Sequence, residues 1–196
     1  MSMPVPLFFF GAMSPYSWLA AERIEQVVPQ ARWQMVLAGV LFSAHGRTSW
    51  GLTDGRAAGM ADCEARAAER GLGPIRWPEA WPSSDLTVAR AGLVAEARGS
   101  LRPFALAAMR LAFLEGADLS ELETVLEAGR RVGIDAGELA RGVAEPTIKD
   151  SLRALNEQAL ALGVFGVPTL AAGGELFWGD DHLEDAAQYL RDRALA

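Results

Sequence analysis

The sequence predicts an α/β fold in three parts: a strand–helix–strand unit, an all-helical block, and a strand–strand–helix ending. Three observations predict it. A short apolar run passes into helical spacing and then into an alternating run by residue 37. Helical patterns alone fill the middle of the chain. Near the end, a glycine pair separates two short strand patterns, and a last helical segment follows.

Residues 5–10 (VPLFFF) form a continuous apolar run, as a strand buried on both faces requires. Residues 15–28 then have helical spacing, with Trp18, Leu19, Ile24, Val27 and Val28 inward and Glu22, Arg23, Glu25 and Gln26 outward, until Pro29 stops the helix. Residues 32–37 (RWQMVL) alternate as a second strand. A helix between the two strands makes them parallel.

From Gly39 to Thr53 the chain is rich in glycine and serine and reads as a loop. Residues 56–162 read as helices. Residues 101–114 are apolar nearly all round, as in a buried helix. Ser120 with Glu123 has capping-box spacing, and Asp135 with Glu138 marks the next helix start. Pro146 suits a helical first turn. Behind it, Ile148, Leu152, Leu155, Ala159 and Leu162 recur at alternating intervals of four and three, forming one stripe. Gly163 ends that helix. The segment VPTLAA is a strand, Gly173-Gly174 a hairpin turn and ELFW the partner strand, and Asp180-Asp181 opens a final helix to the C-terminus.

Composition sets limits on function. The 196 residues are 51% hydrophobic, enough for a sizeable core. Net charge is −7, Lys149 is the only lysine, and the arginines are scattered. Nucleic acid and anionic membranes call for clustered positive charge, so neither is an expected partner. Cys63 is the only cysteine, which excludes an intramolecular disulfide and a Cys-rich metal site; no metal is expected. The N-terminal MSMPVPLFFF lacks a basic leader, and no apolar run approaches a membrane span. The expected location is cytoplasmic.

The chemistry concentrates at the first strand–helix junction, FFFGAMSPYSWLA. Serine followed by proline is the preferred helix start, so Ser14 can be a cap, a reactive-site hydroxyl, or both. One of Asp180 and Asp181 is expected to cap the last helix, leaving the other for a ligand amine. Cys63 reads as a small packed residue. His45 and His182 read as surface or loop residues. Trp50, Trp77 and Trp81 read as packing residues, with Trp50 near enough to the site to reach a ligand. No Gly-x-Ser-x-Gly elbow occurs, which disfavours a Ser-His-Asp hydrolase.

Strand–helix–strand followed by strand–strand–helix, with proline just before the third strand, resembles the thioredoxin fold, and the helical insertion resembles its DsbA-like branch. Four segments narrow the resemblance: FFFGAMSPYSWLA, VLAGVLFSAHG at 36–46, GVFGVPT at 163–169 and GELFWGDDHLE at 174–184. In this order they resemble the 2-hydroxychromene-2-carboxylate isomerases and the kappa-class glutathione transferases. The resemblance implies a discontinuous thioredoxin-like domain of residues 1–43 and 163–196 around a helical insertion domain of residues 44–162. It also implies a homodimer.

By the same resemblance, Ser14 hydrogen-bonds the sulfur of bound glutathione. Val167, before a cis Pro168, pairs its backbone with the glutathione peptide. Asp180 and Asp181 meet the γ-glutamyl end, Asp181 being the better match. The redox members carry Cys-Pro-x-Cys where this chain has Ser14-Pro15-Tyr16-Ser17, so dithiol–disulfide exchange lacks both thiols. The chain departs from the family at Gly11, where an acidic residue is common, at Ser43, where a basic one is, and at His182, where an arginine is. These departures bear on substrate identity.

A free thiol with pKa near 8.5 is only about 3% ionised at pH 7. A helix N-terminus contributes roughly 0.3–2 kcal/mol toward its thiolate, at most about 1.5 pKa units, and a charge-assisted hydrogen bond from Ser14 adds to that. The implied activity is glutathione-dependent isomerisation by reversible thiolate addition to a conjugated aromatic acid. The alternatives are conjugation of an electrophile, as in the kappa class, and a catalytically silent DsbA-like protein binding a thiol or peptide.

Overall fold

The structure, a computed structural model, describes residues 4–194. Residues 1–3 and 195–196, which carry the outermost parts of the leader and final-helix readings, lie outside it. Strands β1 (Leu7–Phe10), β2 (Arg32–Met35), β3 (Thr169–Ala172) and β4 (Glu175–Trp178) form one sheet in the order β2-β1-β3-β4. β1 runs parallel to β2 and antiparallel to β3, and β3 is antiparallel to β4.

The three phenylalanines of β1 explain its central place. Each is fully buried. Phe8 and Phe10 stack at 5.4 Å on one face, and Trp33 of β2 meets each of them edge-on at 5.2 Å. Phe9 points to the other face, into a cluster with Val36, Leu41, Val164 and Val167. Burying each ring contributes about 1.5–3 kcal/mol, which holds the strand between two layers. Val5 is outside the strand and exposed. At the β3–β4 hairpin, Gly173 and Gly174 have φ of +59° and +94°, the positive pair that a tight two-residue turn needs.

Helix α1 (Pro15–Ala21) follows β1, and the short α2 (Ile24–Val27) precedes β2. The sequence predicts one helix over 15–28. Instead the Arg23 amide bonds to the Ala20 carbonyl, a tighter turn that separates the two. Glu22, expected to face water, is held by the Trp18 indole at 2.9 Å and by a two-point pairing with Arg110 at 2.6 and 2.8 Å.

Helix α3 (Ala38–Ala44) and a 3-10 turn at Trp50–Leu52 occupy the segment read as a loop. Burial of Leu41 against the Phe9 cluster outweighs the poor propensity of Gly39 and Ser43. The helical block comprises α4 (Arg56–Glu69), α5 (Leu86–Ala97), α6 (Leu101–Glu115), α7 (Leu122–Arg131), α8 (Ala136–Ala144) and α9 (Pro146–Ala161). Helix α6 is buried nearly all round, as expected, and its Phe113 stacks on Trp18 at 5.6 Å.

Asp135 caps α8 by accepting the Glu138 amide at 2.8 Å, whereas Ser120 forms no capping box. Its amide is bound by Asp118 at 2.9 Å, and α7 starts two residues later. In α9, Leu152, Leu155 and Ala159 are buried and Leu162 is exposed. The buried Asn156 accepts the Leu37 amide at 2.9 Å, joining α9 to the start of α3. Helix α10 (Leu183–Ala194) closes the chain, preceded by a 3-10 turn at Asp180–His182.

Helices α5 and α8 meet through a glycine. A Cβ on Gly142 would lie 2.5 Å from Val94 Cγ2 and 3.1 Å from its Cγ1, and valine has little rotamer freedom with which to turn aside. Gly142→Ala gains about 1 kcal/mol of helix propensity and overpacks by about 1–3 kcal/mol. The expected result is a lower urea midpoint; a higher one means that Val94 does turn aside.

Candidate active site

The end of β1, the loop before β3 and the turn before α10 open onto one cavity of about 850 Å³. Ser14 sits at its floor as the N-cap of α1. Its Oγ accepts the Ser17 amide at 3.2 Å, which fixes the side chain and leaves the hydroxyl proton to donate. Among the described residues that proton has no acceptor. The capping geometry thus leaves the hydroxyl beside the cavity with its proton unspent. Ser17 is fully buried, and its Oγ accepts the Gly11 amide at 3.3 Å. Pro15 has no N–H and the Ser17 amide is taken, so the helix start presents only the Tyr16 amide and the Ser14 hydroxyl.

The Val167–Pro168 peptide is cis, as is Trp81–Pro82. Val167 lies just outside the β3 ladder, which ends at Thr169. No described residue bonds to its amide or carbonyl. These groups and Ser14 border the same cavity.

The two aspartates differ sharply. Asp180 is 1% exposed and is bound by Arg66 at 2.9 Å and by Arg70. Asp181 has a side chain 55% exposed and stands 3.6 Å from Arg66. Neither accepts a backbone amide, so the expected helix cap is not made. Asp180 instead joins the C-terminal turn to α4, and Asp181 is the carboxylate turned to the cavity. His182 faces solvent and contacts Asp185 at 2.7 Å.

Tyr16, Trp50 and Trp81 form an aromatic wall, with Trp50 and Trp81 rings 4.9 Å apart and the Trp81 indole bound to the Met13 carbonyl at 2.9 Å. Cys63 is buried on α4 behind Tyr16. Burial pushes its thiol up to about 12, so it stays protonated. The Tyr16 hydroxyl is raised as well, by burial first and then by its hydrogen bond to Asp62.

Two cavity residues were not singled out from sequence. Arg47 lies over the rings of Phe42, Phe165 and Trp178 at 5.9, 5.7 and 5.5 Å. It has no ion-pair partner among the described residues. Gly46, at φ +63°, reverses the chain after α3 so that the Arg47 amide reaches the Phe42 carbonyl at 2.8 Å. That reversal brings a cation back beside Phe42, although Ser43 follows Phe42 directly. With residues 39–53 reading as a loop, nothing in the sequence marked this reversal. The second is Asp85, in the loop before α5, whose Oδ2 accepts the Ala38 amide at 3.4 Å. No local pattern pointed to it.

A β1–α1 junction capped by serine, a cis-proline loop beside it and a helical block inserted between the strands together define the architecture. A family model of the DSBA-like thioredoxin domain matches residues 7–191. The chain belongs to that family.

Within it, the chain is 28% identical over 192 residues to a 2-hydroxychromene-2-carboxylate isomerase of Sphingobium xenophagum, covering 94% of this chain and 97% of the other. A solved 2-hydroxychromene-2-carboxylate isomerase superposes with TM-score 0.83 at 20% identity, covering 98% of this chain and all of that one. The cytosolic disulfide reductase DsbM of Pseudomonas aeruginosa, solved with GSH, superposes with TM-score 0.66 at 16% identity, covering 97% and 99%. Among the described residues, no helix is long and apolar enough to cross a membrane.

Two outcomes follow from the charges. Asp180→Asn is expected to cost about 2–3 kcal/mol in denaturant unfolding, below the roughly 3–5 of a fully buried pair because both arginines reach water. Asp181→Asn should stay within about 0.5 kcal/mol of wild type. Burial pushes the Asp85 carboxyl from 3.8 up to about 6, against the amides of Ala38 and of Asp85 itself. Between those values the folded protein retains a proton that the unfolded chain has released. Stability therefore falls as pH rises through that window, and the cost is complete above it. Asp85→Asn should accordingly raise Tm at about pH 7.5 and change it much less at about pH 4.

Proposed function

We propose that the protein is a glutathione-dependent isomerase of the 2-hydroxychromene-2-carboxylate type. The observation that carries this reading is the meeting of an oriented, unspent Ser14 hydroxyl with the unpaired backbone of Val167 on one cavity. A γ-glutamyl tripeptide thiol needs those two features. It also needs a carboxylate for its ammonium group, and Asp181 is available. The 28% identity to a named isomerase over nearly the whole chain supports the same reading, and a more distant neighbour of this fold was solved with GSH.

When bound, glutathione supplies a thiolate able to add to a conjugated double bond and leave again once the bond has rotated. The chain's own residues do the rest. Ser14 donates its hydroxyl proton in a charge-assisted hydrogen bond to the sulfur. Val167 offers one donor and one acceptor to the peptide, as an edge strand would. Tyr16, Trp50 and Trp81 give a planar aromatic substrate a wall to pack against. Arg47 offers a guanidinium to its carboxylate. The chain has a single, buried cysteine, so it supplies no thiol pair for disulfide exchange.

The wide aromatic cavity also suits conjugation of an electrophile. The two reactions separate on whether free glutathione is consumed or recovered as product forms, and recovery is expected. Ser14→Ala is expected to keep the fold, losing about 0.5–2 kcal/mol of capping. It should lower turnover about 100- to 1,000-fold, as removal of a charge-stabilising donor does. Unchanged kinetics in this variant would end the role given to Ser14. Absence of any thermal shift with millimolar glutathione would favour a catalytically silent binder.

A further inference from the structure

We propose that Asp85 is the proton-exchanging group of this site, taking the proton of a bound thiol and returning it when the thiol is released; this rests on the thiol-binding reading above. Asp85 stands just before α5, in the N-cap position, yet its side chain caps nothing there. The carboxylate instead crosses to the sheet, where Oδ2 meets the Ala38 amide and borders the cavity. Gly11 lies beside it. A Cβ on Gly11 would lie 3.5 Å from Asp85 Oδ2 and 3.4 Å from Val167 Cγ2. The Gly11 carbonyl in turn accepts the Ser14 amide at 3.1 Å. The carboxylate, the cis-proline loop and the serine cap therefore converge on a position that has no side chain.

Among the described residues, no cation pairs with this carboxylate. Arg47 lies over its three rings, and Arg66 is engaged by Asp62, Asp180 and Asp181. Arg56 donates to the Gly51 and Trp81 carbonyls. Arg90, one turn along α5, makes no ion pair with it among the described residues. From α3 it receives a backbone amide, and Ser14, the cap of α1, borders the same cavity. If its role were only to hold the Ala38 amide, asparagine would serve as well. A carboxylate without a counter-charge on the wall of a thiol site is suited to gaining and losing a proton.

The step balances without an oxidant or reductant. The S–H bond breaks, an O–H bond forms on Asp85, and the reverse occurs on release. Two neighbouring groups of like charge resist joint ionisation, so thiol and carboxyl hold one proton between them. Their affinities are matched. A thiol near 8.5 lowered by at most about 1.5 units comes within about one unit of a carboxyl raised to about 6. Transfer in either direction is then inexpensive.

The test uses reduced glutathione with wild type and Asp85→Asn. Calorimetry in two buffers of different ionisation enthalpy counts protons released on binding, and ultraviolet absorbance of the bound thiolate is followed against pH. Wild type is expected to release almost no proton near neutral pH and to form thiolate in a coupled, upper step. The variant is expected to release a large fraction of a proton and to form thiolate in one step, lower by about one unit or more. Identical proton counts and titrations in the two proteins overturn the role of Asp85 and leave glutathione binding intact. If wild type does not bind glutathione, both the functional reading and this assignment fall. Should Asp85→Asn not fold, Asp85→Ser keeps a small polar side chain, removes the carboxyl and is read the same way.

Discussion

The site depends on a strand with no exposed face. β1 buries Phe8 and Phe10 against Trp33 on one side and Phe9 against the Val36–Val167 cluster on the other, so it can lie only at the middle of the sheet. Its two neighbours then fix what lies beyond its end. Parallel pairing with β2 brings Ala38 and α3 alongside. Antiparallel pairing with β3, in which Phe9 faces Thr169, sets the start of β3 beside the end of β1. Gly11, Val167 and Ala38 thus come within contact of one another with no direct bond needed to hold them. A one-residue slip would turn Phe9 to the wrong layer and part Ser14 from Val167 together, so core packing and site geometry share one register.

A second tie joins the helical block to the sheet. Asp180 is buried under Arg66 of α4 and Arg70 at its C-cap, so the turn before α10 is tied to the wall carrying Tyr16's partners. A buried charge pair is a weak source of net stability, because desolvation offsets most of its attraction. It is a strong source of position, because removing either side leaves the other unpaired. It also separates two adjacent aspartates. The arginines satisfy Asp180 and leave Asp181 in solvent beside the cavity. The sequence predicts that one of the two caps the last helix; the helix takes neither.

What was legible in the sequence was what depends on local pattern or on near neighbours. The FFF strand, the α9 stripe, the Gly173-Gly174 hairpin and the Asp135 cap each follow from a few consecutive residues. The serine–proline junction was legible for the same reason, whereas the cis Val167–Pro168 bond followed from the family resemblance. Helix α3 was missed because long-range burial of Leu41 forms it, against Gly39 and Ser43. Ser120 resembled a cap, but Asp118, two residues earlier, takes its amide. Glu22 looked solvated because its partner Arg110 lies on α6, far along the chain. Asp85 is the extreme case. It sits in a Trp-Pro-Ser-Ser segment without periodicity, and the groups it meets, the Ala38 amide and Gly11, lie far back in the chain.

The cavity's charges differ in how they are held. Arg47 is exposed, without a carboxylate, and kept in place by three aromatic faces that do not neutralise it. Asp85 is sheltered against the sheet, with a backbone amide as its partner. A substrate with a carboxylate and a conjugated aromatic body would gain from Arg47 at one end and from the tryptophans along its length. Repulsion from an ionised Asp85 would keep its carboxylate away from the serine floor. Two opposite charges on one cavity that do not pair with each other would orient such a substrate between them. Gly46 contributes by returning Arg47 to Phe42.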